Sequence, residues 1–390
     1  MDAFMFHNPT RFVFGPDAEL QAGEQIKRLG ISKVLLVYGQ GSVQRSGLLD
    51  RVKQSLKDAG IRFWELGGVL PNPLSGPVYQ GVELVRREGI EALMGVGGGS
   101  AIDTAKAIGL GSQYEGDFWN LYLGKDTPKK GLPIITVLTL AAAGSESSNS
   151  SVITHEQSLL KRGCRSEHNK PVLSLMNPTL TYSVPKDQKA NGVADMMAHI
   201  YERYFTNSKD VELSDQLCEG ALRCIIRAAP VAIDNPDDYA SHADLMWAGT
   251  LAHNDTLSPG RQQDWSCHGM SHGVSARHGA PHGAALAVLF PHWMAYQLDH
   301  DAARFDRFAV QVLGVDAAKG TPKERALEGL RRLRDFYNSL GLPDHLGAFG
   351  VREADIDQLV KDVPYRADGH AGFFRPLTAE DVRAIYKLAL

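Results

Sequence analysis

The sequence predicts an α/β domain followed by an all-helical domain, with the division near residue 182. In the first half, short apolar runs alternate with segments of helical spacing, and after about Pro185 convincing strand-like alternation disappears. The length of 390 residues suits two domains, because a single domain usually contains about 100–200 residues. We therefore expect an α/β domain at 1–182 and an all-helical domain at 183–390.

Four short apolar runs in the first half are predicted to be strands, at 33–38, 61–66, 92–96 and 133–138. The segments between them carry apolar residues at helical spacing, around 48–56, 78–88 and 102–108. Strands that alternate with helices of this length indicate βαβ units and a parallel sheet.

Long helical patterns fill the second half. Their apolar residues recur three to four positions apart, which predicts amphipathic helices. The predicted helices are 191–206, 211–229, 239–253, 302–312, 323–340, 352–363 and 378–390.

Composition and charge exclude several classes of protein. The formal net charge of −4 gives no basic field for nucleic acid or an anionic membrane. No apolar run reaches about 18 residues, and the acidic start has no basic segment before an apolar one, so neither a membrane span nor a signal peptide is predicted. The four cysteines form no CxxC pair, which argues against a cysteine-based zinc site. We expect a cytoplasmic protein.

Glycine-rich or small polar segments follow three of the predicted strands. The segment 95–100 (GVGGGS) opens a predicted helix, so its backbone N–H groups could hold a pyrophosphate. Its glycines are bunched rather than spaced as in the usual dinucleotide fingerprint, and a ligand-free turn is the alternative. The segment 39–43 taken alone suits a tight turn. The segment 139–154 suits either a ligand-binding loop at the sheet edge or a solvated turn.

Four of the fourteen histidines lie within fifteen residues, namely His268, His272, His278 and His282. His268 and His272 are four residues apart and would share one face of a helix, as would Asp195 and His199. His282 stands between Pro281 and Gly283, where a turn is expected. A carboxylate near an apolar stripe is costly unless it is paired or bound to a cation. One carboxylate with three imidazoles suits Fe²⁺ or Zn²⁺, and structural histidines are the alternative.

These segments together resemble the iron-containing (group III) alcohol dehydrogenase family. The similar segments are 71–73 (PNP), 97–106 (GGGSAIDTAK), Asp195 with His199, and 268–272 (HGMSH) through 281–283 (PHG), after a Phe-rich start ending at Phe14-Gly15. The resemblance runs in order over nearly the whole chain. It implies a Rossmann-like dinucleotide-binding domain followed by a helical metal-binding domain.

The resemblance also implies the site. It assigns a divalent metal, Fe²⁺ or Zn²⁺, to Asp195, His199, His268 and His282, and proton relay beside the nicotinamide to His272. It assigns cofactor contacts to Gly39, Gly41, Ser42, Asn72, Gly97, Gly98, Gly99, Ser100, Asp103, Thr139, Asn149 and Lys161. The expected activity is hydride transfer between NAD(P)H and alcohols, aldehydes or ketones, in a homodimer or higher homo-oligomer.

Within this family the chain is most similar to the NADPH-dependent aldehyde reductase and butanol dehydrogenase branch. The turn at 38–43 (YGQGSV) lacks the acidic residue that would repel a 2′-phosphate, so NADP(H) is expected in preference to NAD(H). Ala141–Ala143 and Asn177 depart from the family pattern, and the alanines remove a hydroxyl from a cofactor loop. The alternatives are a metal- and NAD-dependent lyase of the dehydroquinate-synthase type, a metal-dependent hydrolase of phosphorylated substrates, and a non-enzymatic sensor.

Overall fold

The computed structural model describes residues 1–390 and separates into two compact units. The α/β unit is His7–Val184, and the helical unit combines Met1–Phe6 with Pro185–Leu390. The units divide between Val184 and Pro185, beside the boundary expected at 182, and the first six residues group with the helical unit instead of the α/β domain expected at 1–182. They belong there because the Asp2 N–H donates to the Gly260 carbonyl at 2.9 Å and Ser208 donates to the Asp2 carboxylate.

Six parallel strands form the sheet of the α/β unit, in the order β1-β8-β5-β4-β2-β3. The central strands are buried on both faces, which is why they appear in the sequence as continuous apolar runs. A separate antiparallel pair, β6 and β7, completes the strands. Their bounds are β1 Arg11–Phe14, β2 Lys33–Gly39, β3 Arg62–Val69, β4 Ala92–Gly97, β5 Ile134–Leu138, β6 Ser150–His155, β7 Leu160–Arg165 and β8 Leu173–Met176.

Helices cover both faces of this sheet. The bounds are α1 Ala22–Arg28, α2 Ser42–Arg45, α3 Leu48–Asp58, α4 Ser75–Glu88, α5 Gly99–Ser112 and α6 Trp119–Tyr122. One core packs α1–α3 against alternate residues of β2, and the other packs α4–α6 against the opposite face. The predicted α/β architecture is confirmed, as are the four predicted strands, which are β2–β5.

The segment 139–154 differs from the prediction of a small polar loop. Its last residues form β6, which pairs with β7, and the Thr154 N–H donates to the Pro73 carbonyl at 2.8 Å. Small polar residues carry little strand signal, so their pairing with a distant partner could not be predicted from local pattern.

Nine helices make up the helical unit. Their bounds are α7 Lys186–Tyr204, α8 Glu212–Asp234, α9 Tyr239–His253, α10 Ser266–His278, α11 His282–Gln297, α12 Ala302–Gln311, α13 Pro322–Ser339, α14 Ile356–Asp362 and α15 Ala379–Leu388. The all-helical prediction is confirmed. Helix α7 packs against α8, α9, α10 and α11 and is buried along most of its length. None of the helices is both long enough and apolar enough to cross a membrane.

Candidate functional site

Three of the predicted cofactor segments lie at one edge of the sheet. Strands β5, β4 and β2 are neighbours and parallel, so the loops that follow them share the carboxyl edge. The chain runs outward from β2 to β3 and then returns to β4 on the other side of β2, which makes β2 and β4 a topological switch point. Open α/β sheets bind ligands in the crevice at such a point.

The glycines after β4 bring two of these loops together. A Cβ at Gly98 would lie 3.3 Å from the Leu140 Cβ, and one at Gly99 would lie 3.3 Å from the Ala143 Cβ. Gly97 has φ +154°, a conformation that favours glycine. Helix α5 begins at Gly99, with Ser100 in its first turn. The glycines therefore serve loop packing, and the start of α5 can also hold a phosphate.

The turn after β2 is open and carries an arginine. Gly41 has φ +147°, Ser42 is exposed, and a Cβ on Gly41 would lie 3.0 Å from Nη1 of Arg45. The nearby carboxylate of Glu65 accepts from the Tyr38 hydroxyl at 2.9 Å and lies 2.7 Å from Nζ of Lys53. That carboxylate is therefore already engaged, whereas Arg45 is exposed.

The β6–β7 hairpin brings Lys161 to Asn72. Nζ of Lys161 donates to Oδ1 of Asn72 at 2.8 Å, and Asn72 has φ +54°. These two residues are 89 positions apart, and only the pairing of the hairpin with the 71–74 segment makes them neighbours.

Asp103 and Lys106 of α5 hold the segment 145–152 in place. Asp103 accepts from the Ser145 hydroxyl at 2.5 Å and from the Val152 N–H at 2.9 Å. Lys106 is fully buried and donates to the carbonyls of Ser148 and Ser150, both at 2.9 Å. Burial lowers the pKa of Lys106 to about 8, against the opposing attraction of Asp103 and Glu146.

Two other expected cofactor residues lie in the segment 139–149. The Thr139 N–H donates to the Gly97 carbonyl at 3.1 Å, which joins the β5 loop to the β4 loop. The Asn149 side chain hydrogen-bonds Glu167, and its carbonyl accepts from the Ser166 N–H at 2.9 Å. Asn149 is therefore engaged by the protein itself.

The expected metal ligands converge in the helical unit. Oδ1 of Asp195 lies 3.8 Å from Nε2 of His199, 3.9 Å from Nε2 of His268 and 3.8 Å from Nε2 of His282. One ligand atom from each of Asp195, His268 and His282 lies within 4.8 Å of the others. Ligands of a tetrahedral ion at about 2.1 Å are roughly 3.4 Å apart, so the three atoms of Asp195, His268 and His282 lie near the spacing that one ion requires. His199 is not part of this group of three, although its Nε2 lies close to Oδ1 of Asp195.

The chemistry of this cluster also suits a cation. Oδ1 of Asp195 and Nε2 of His268 are buried and have no hydrogen-bond partner, a state that costs free energy unless an ion satisfies them. Burial opposes protonation of His268, but Asp195 and Glu202 outweigh it and raise the pKa of the imidazole. The two carboxylates therefore favour positive charge at this point.

Three helices bring these side chains together. Asp195 and His199 share one face of α7, His268 lies on α10, and His282 is the first residue of α11. The turn expected at His282 is thus a helix start, with Pro281 before the first helical residue. A Cβ on Gly283 would overlap the Asn191 carbonyl, so glycine permits α11 to meet α7 closely beside His282.

Three residues that the sequence pattern did not single out contact the candidate ligands. Glu202 accepts from Nδ1 of His268 at 2.8 Å, and Arg203 donates to the His199 carbonyl at 2.8 Å. His253 stacks on His199 with ring centroids 4.1 Å apart. Glu202 follows Asp195 by seven residues and His199 by three, so the helical spacing could have identified it. His253 carried no such signal.

His272 lies one helical turn beyond His268 on α10. Its ring centroid is 5.7 Å from that of His282, and the side chain is half-buried. This position is compatible with proton exchange near the cluster. His278, the remaining histidine of the sequence cluster, lies at the last residue of α10 and belongs to no group of candidate ligands.

Two family models match the chain in succession. "Iron-containing alcohol dehydrogenase" matches residues 9–178, and "Fe-containing alcohol dehydrogenase family, C-terminal" matches residues 189–390. The chain belongs to the iron-containing alcohol dehydrogenase family. The resemblance inferred from the sequence is thereby confirmed.

Relatives of known name support this membership over full length. The chain is 40% identical to a probable NADH-dependent butanol dehydrogenase 1 of Bacillus subtilis, over 100% of both chains. It is 35% identical to the NADPH-dependent aldehyde reductase YqhD of Escherichia coli, again over 100% of both. The crystal structure of NADH-dependent butanol dehydrogenase A from Thermotoga maritima is 40% identical, with a TM-score of 0.96 over 100% of this chain and 99% of that one.

This iron-containing alcohol dehydrogenase is an oxidoreductase that interconverts alcohols and carbonyl compounds. The family implies a nicotinamide cofactor and a divalent metal. The comparisons favour this function over the lyase of the dehydroquinate-synthase type, because both family models describe alcohol dehydrogenases.

Proposed function

We propose that this enzyme reduces aldehydes with NADPH at a single divalent metal, Fe²⁺ or Zn²⁺, held by Asp195, His199, His268 and His282. The observation that carries the proposal is the set of three imidazole Nε2 atoms within 3.9 Å of one buried carboxylate oxygen that has no hydrogen-bond partner. An N/O ligand set of this kind suits either metal.

The proposed chemistry divides between the bound groups and the chain. When bound, the metal supplies Lewis-acid polarisation of the substrate oxygen and the nicotinamide supplies the hydride. Asp195 contributes negative charge, and the three imidazoles contribute neutral nitrogen donors. His272, half-buried beside His282, exchanges the proton that the alcohol oxygen gains in reduction and loses in oxidation.

The nucleotide is proposed to bind along the carboxyl edge of the sheet. Gly97, Gly98, Gly99 and Ser100 would hold the pyrophosphate, while Gly39, Gly41 and Ser42 would approach the adenosine ribose. Asn72, Thr139 and Lys161 would complete the contacts. Asp103 and Asn149 would act indirectly, because their side chains already bond to Ser145 and Glu167.

The preference for NADPH rests on charge at the turn after β2. The Gly39–Ser42 turn has no acidic side chain, and Nη1 of Arg45 stands beside Gly41. A guanidinium is well suited to a 2′-phosphate. The names of the relatives differ on this point: the Bacillus subtilis and Thermotoga maritima proteins, each 40% identical, are called NADH-dependent, and the Escherichia coli reductase, 35% identical, is called NADPH-dependent.

Location and assembly are also proposed. All four cysteines are free, which suits a reducing cytoplasm. Strand β1 pairs on one side only and leaves an open sheet edge, a feature compatible with a homodimer or higher homo-oligomer.

The first experiment follows NADPH oxidation by the metal-loaded protein with a short aliphatic aldehyde, beside an NADH control. We expect loss of NADPH absorbance that a chelator abolishes and added metal restores. Equal use of NADH would contradict the cofactor preference and leave the enzyme class intact. Consumption of neither cofactor across several aldehydes and alcohols would contradict the proposed function.

A further inference from the structure

The side chain of Glu202 reaches both the His268 imidazole and the start of α10. It is almost fully buried, and its Oε1 accepts from Nδ1 of His268 at 2.8 Å and from the main-chain N–H of His268 at 2.9 Å. Its Oε2 accepts from the N–H of Trp265 at 2.6 Å, and its own carbonyl accepts from the N–H of Asp264 at 2.8 Å. Residue 202 of α7 is therefore joined to the 264–268 segment at four points.

The backbone at Trp265 is held in an unfavourable conformation. Its φ of +69° and ψ of +6° lie in the left-handed region, which bulky residues rarely adopt. Trp265 is the residue immediately before the first helical residue of α10, and its side chain makes no capping hydrogen bond to that helix. Glu202 supplies the missing cap from another helix, because it accepts from the N–H groups of Trp265 and His268.

The same carboxylate selects the form of the His268 ring. A carboxylate only accepts hydrogen bonds, so Nδ1 of His268 carries the proton and Nε2 keeps its lone pair. Nε2 is the atom that faces Asp195 at 3.9 Å. A carboxylate in this position also makes the imidazole a stronger donor to a metal.

We propose that Glu202 is a positioning residue that couples the capping of α10 to the metal affinity of His268. Loss of the Glu202 charge changes the capping and the metal affinity together, because the same carboxylate accepts hydrogen bonds from the His268 ring and from the N–H groups at the start of α10. This inference rests on the proposed metal site, and its test separates the two.

The test uses Co²⁺ as the probe, with its visible absorption as the readout of binding to the full-length, metal-stripped protein. We expect E202Q to raise the Co²⁺ dissociation constant 10–100-fold, the range found for residues that orient metal ligands. The matched control is E219Q, because Glu219 is also a buried carboxylate of the helical unit and bonds Tyr204 and Arg307 instead. We expect E219Q to stay within about threefold of the wild type, since it is outside the ligand cluster.

His268→Ala separates the two proposals. If H268A binds Co²⁺ as tightly as the wild type, the ligand assignment is wrong. If H268A loses Co²⁺ but E202Q binds like the wild type, the ligands stand and the role of Glu202 is wrong.

A second measurement does not depend on the folding of E202Q. The ¹⁵N spectrum of histidine-labelled, metal-free protein, compared with H268A, reports which ring nitrogen of His268 carries the proton in its neutral form. We expect Nδ1–H in the wild type and a shift toward Nε2–H in folded E202Q. An Nε2–H form in the wild type would overturn the proposal by itself.

Discussion

Arg45 illustrates how one residue could set the cofactor preference. Its guanidinium lies beside Gly41 and is exposed, while the carboxylate of Glu65, which accepts from Tyr38 at the end of β2, is also engaged by Lys53. A cation that contacts only the 2′-phosphate strengthens NADPH binding and leaves NADH binding unchanged, which is the condition for specificity.

We predict that Arg45→Ala raises the KM for NADPH about tenfold, the loss expected for one charge-assisted hydrogen bond. The KM for NADH should change less than twofold. Steady-state kinetics with both cofactors check this, with R87A as the control because Arg87 is an exposed arginine of α4. Equal effects of R45A on both cofactors would show that Arg45 does not recognise the 2′-phosphate.

Lys106 is a buried amine that makes stability depend on pH. Its pKa is lowered to about 8 by burial, from an ordinary 10.5. Between pH 8 and 10.5 the unfolded chain therefore binds more protons at this lysine than the folded chain does. The lysine's contribution to the free energy of unfolding must then rise with pH across that window.

We predict that the melting temperature of the wild type rises relative to that of K106M between pH 7.5 and pH 9.5. A difference of about 2 kcal/mol in the free energy of unfolding is expected at pH 9.5 relative to pH 7.5. Scanning calorimetry of both proteins measures it. A wild-type melting temperature that falls relative to that of K106M would mean that Asp103 and Glu146 raise the pKa of the amine instead of burial lowering it.

Among the elements, predictability followed local pattern. Strands β2–β5 and seven of the nine helices in the helical unit matched predicted segments, because buried strands and amphipathic helices repeat within a few residues. The hairpin of β6 and β7, the edge strand β1 and its neighbour β8 depend on partners far along the chain. No local periodicity encodes such pairings.

The candidate site divides in the same way. Asp195 with His199, and His268 with His272, showed the four-residue spacing of a helix face, so each pair could be predicted by itself. The residue types and their spacing suggested a metal site, with structural histidines as the alternative. The assignment of Asp195, His199, His268 and His282 as its four ligands came from the family resemblance. Neither the residue spacing nor the family resemblance indicated the stacking of His253 on His199, because this contact depends on how α9 packs against α7.

The close approach of α11 to α7 depends on the absence of a side chain at Gly283. Any Cβ at position 283 would overlap the Asn191 carbonyl, so Gly283→Ala must push the start of α11, with His282, away from Asp195. We expect a loss of more than about 2 kcal/mol in the free energy of unfolding and weaker Co²⁺ binding. Thermal melting and Co²⁺ titration measure the two effects.

Gly220→Ala is the control for this substitution. Gly220 lies inside α8, and the nearest atom to an added Cβ is Nη2 of Arg223 at 3.9 Å. Alanine should therefore stabilise that helix by about 0.5–1 kcal/mol. If G283A behaved like G220A, close packing at Gly283 would not be what places His282.

In the whole molecule, the metal and the nucleotide are proposed to bind to different units. The four proposed metal ligands belong to Pro185–Leu390, and all of the proposed nucleotide contacts belong to His7–Val184. A ligand stabilises the segments that it binds, and it slows their local opening by mass action. The metal and the nucleotide should therefore each protect a different set of backbone amides from hydrogen exchange.

We predict that Zn²⁺ alone slows amide hydrogen exchange in α7, in α10 and at the start of α11, because it joins Asp195, His268 and His282. NADP⁺ alone should slow exchange at 39–42, 97–103 and 139–149. Exchange followed by mass spectrometry on the metal-stripped protein, with each ligand added separately, tests both patterns. The H268A variant should lose the Zn²⁺ pattern and keep the NADP⁺ pattern. Protection by Zn²⁺ that persists in H268A would place the metal on other residues, and failure of NADP⁺ to protect 97–103 would remove the nucleotide from the carboxyl edge of the sheet.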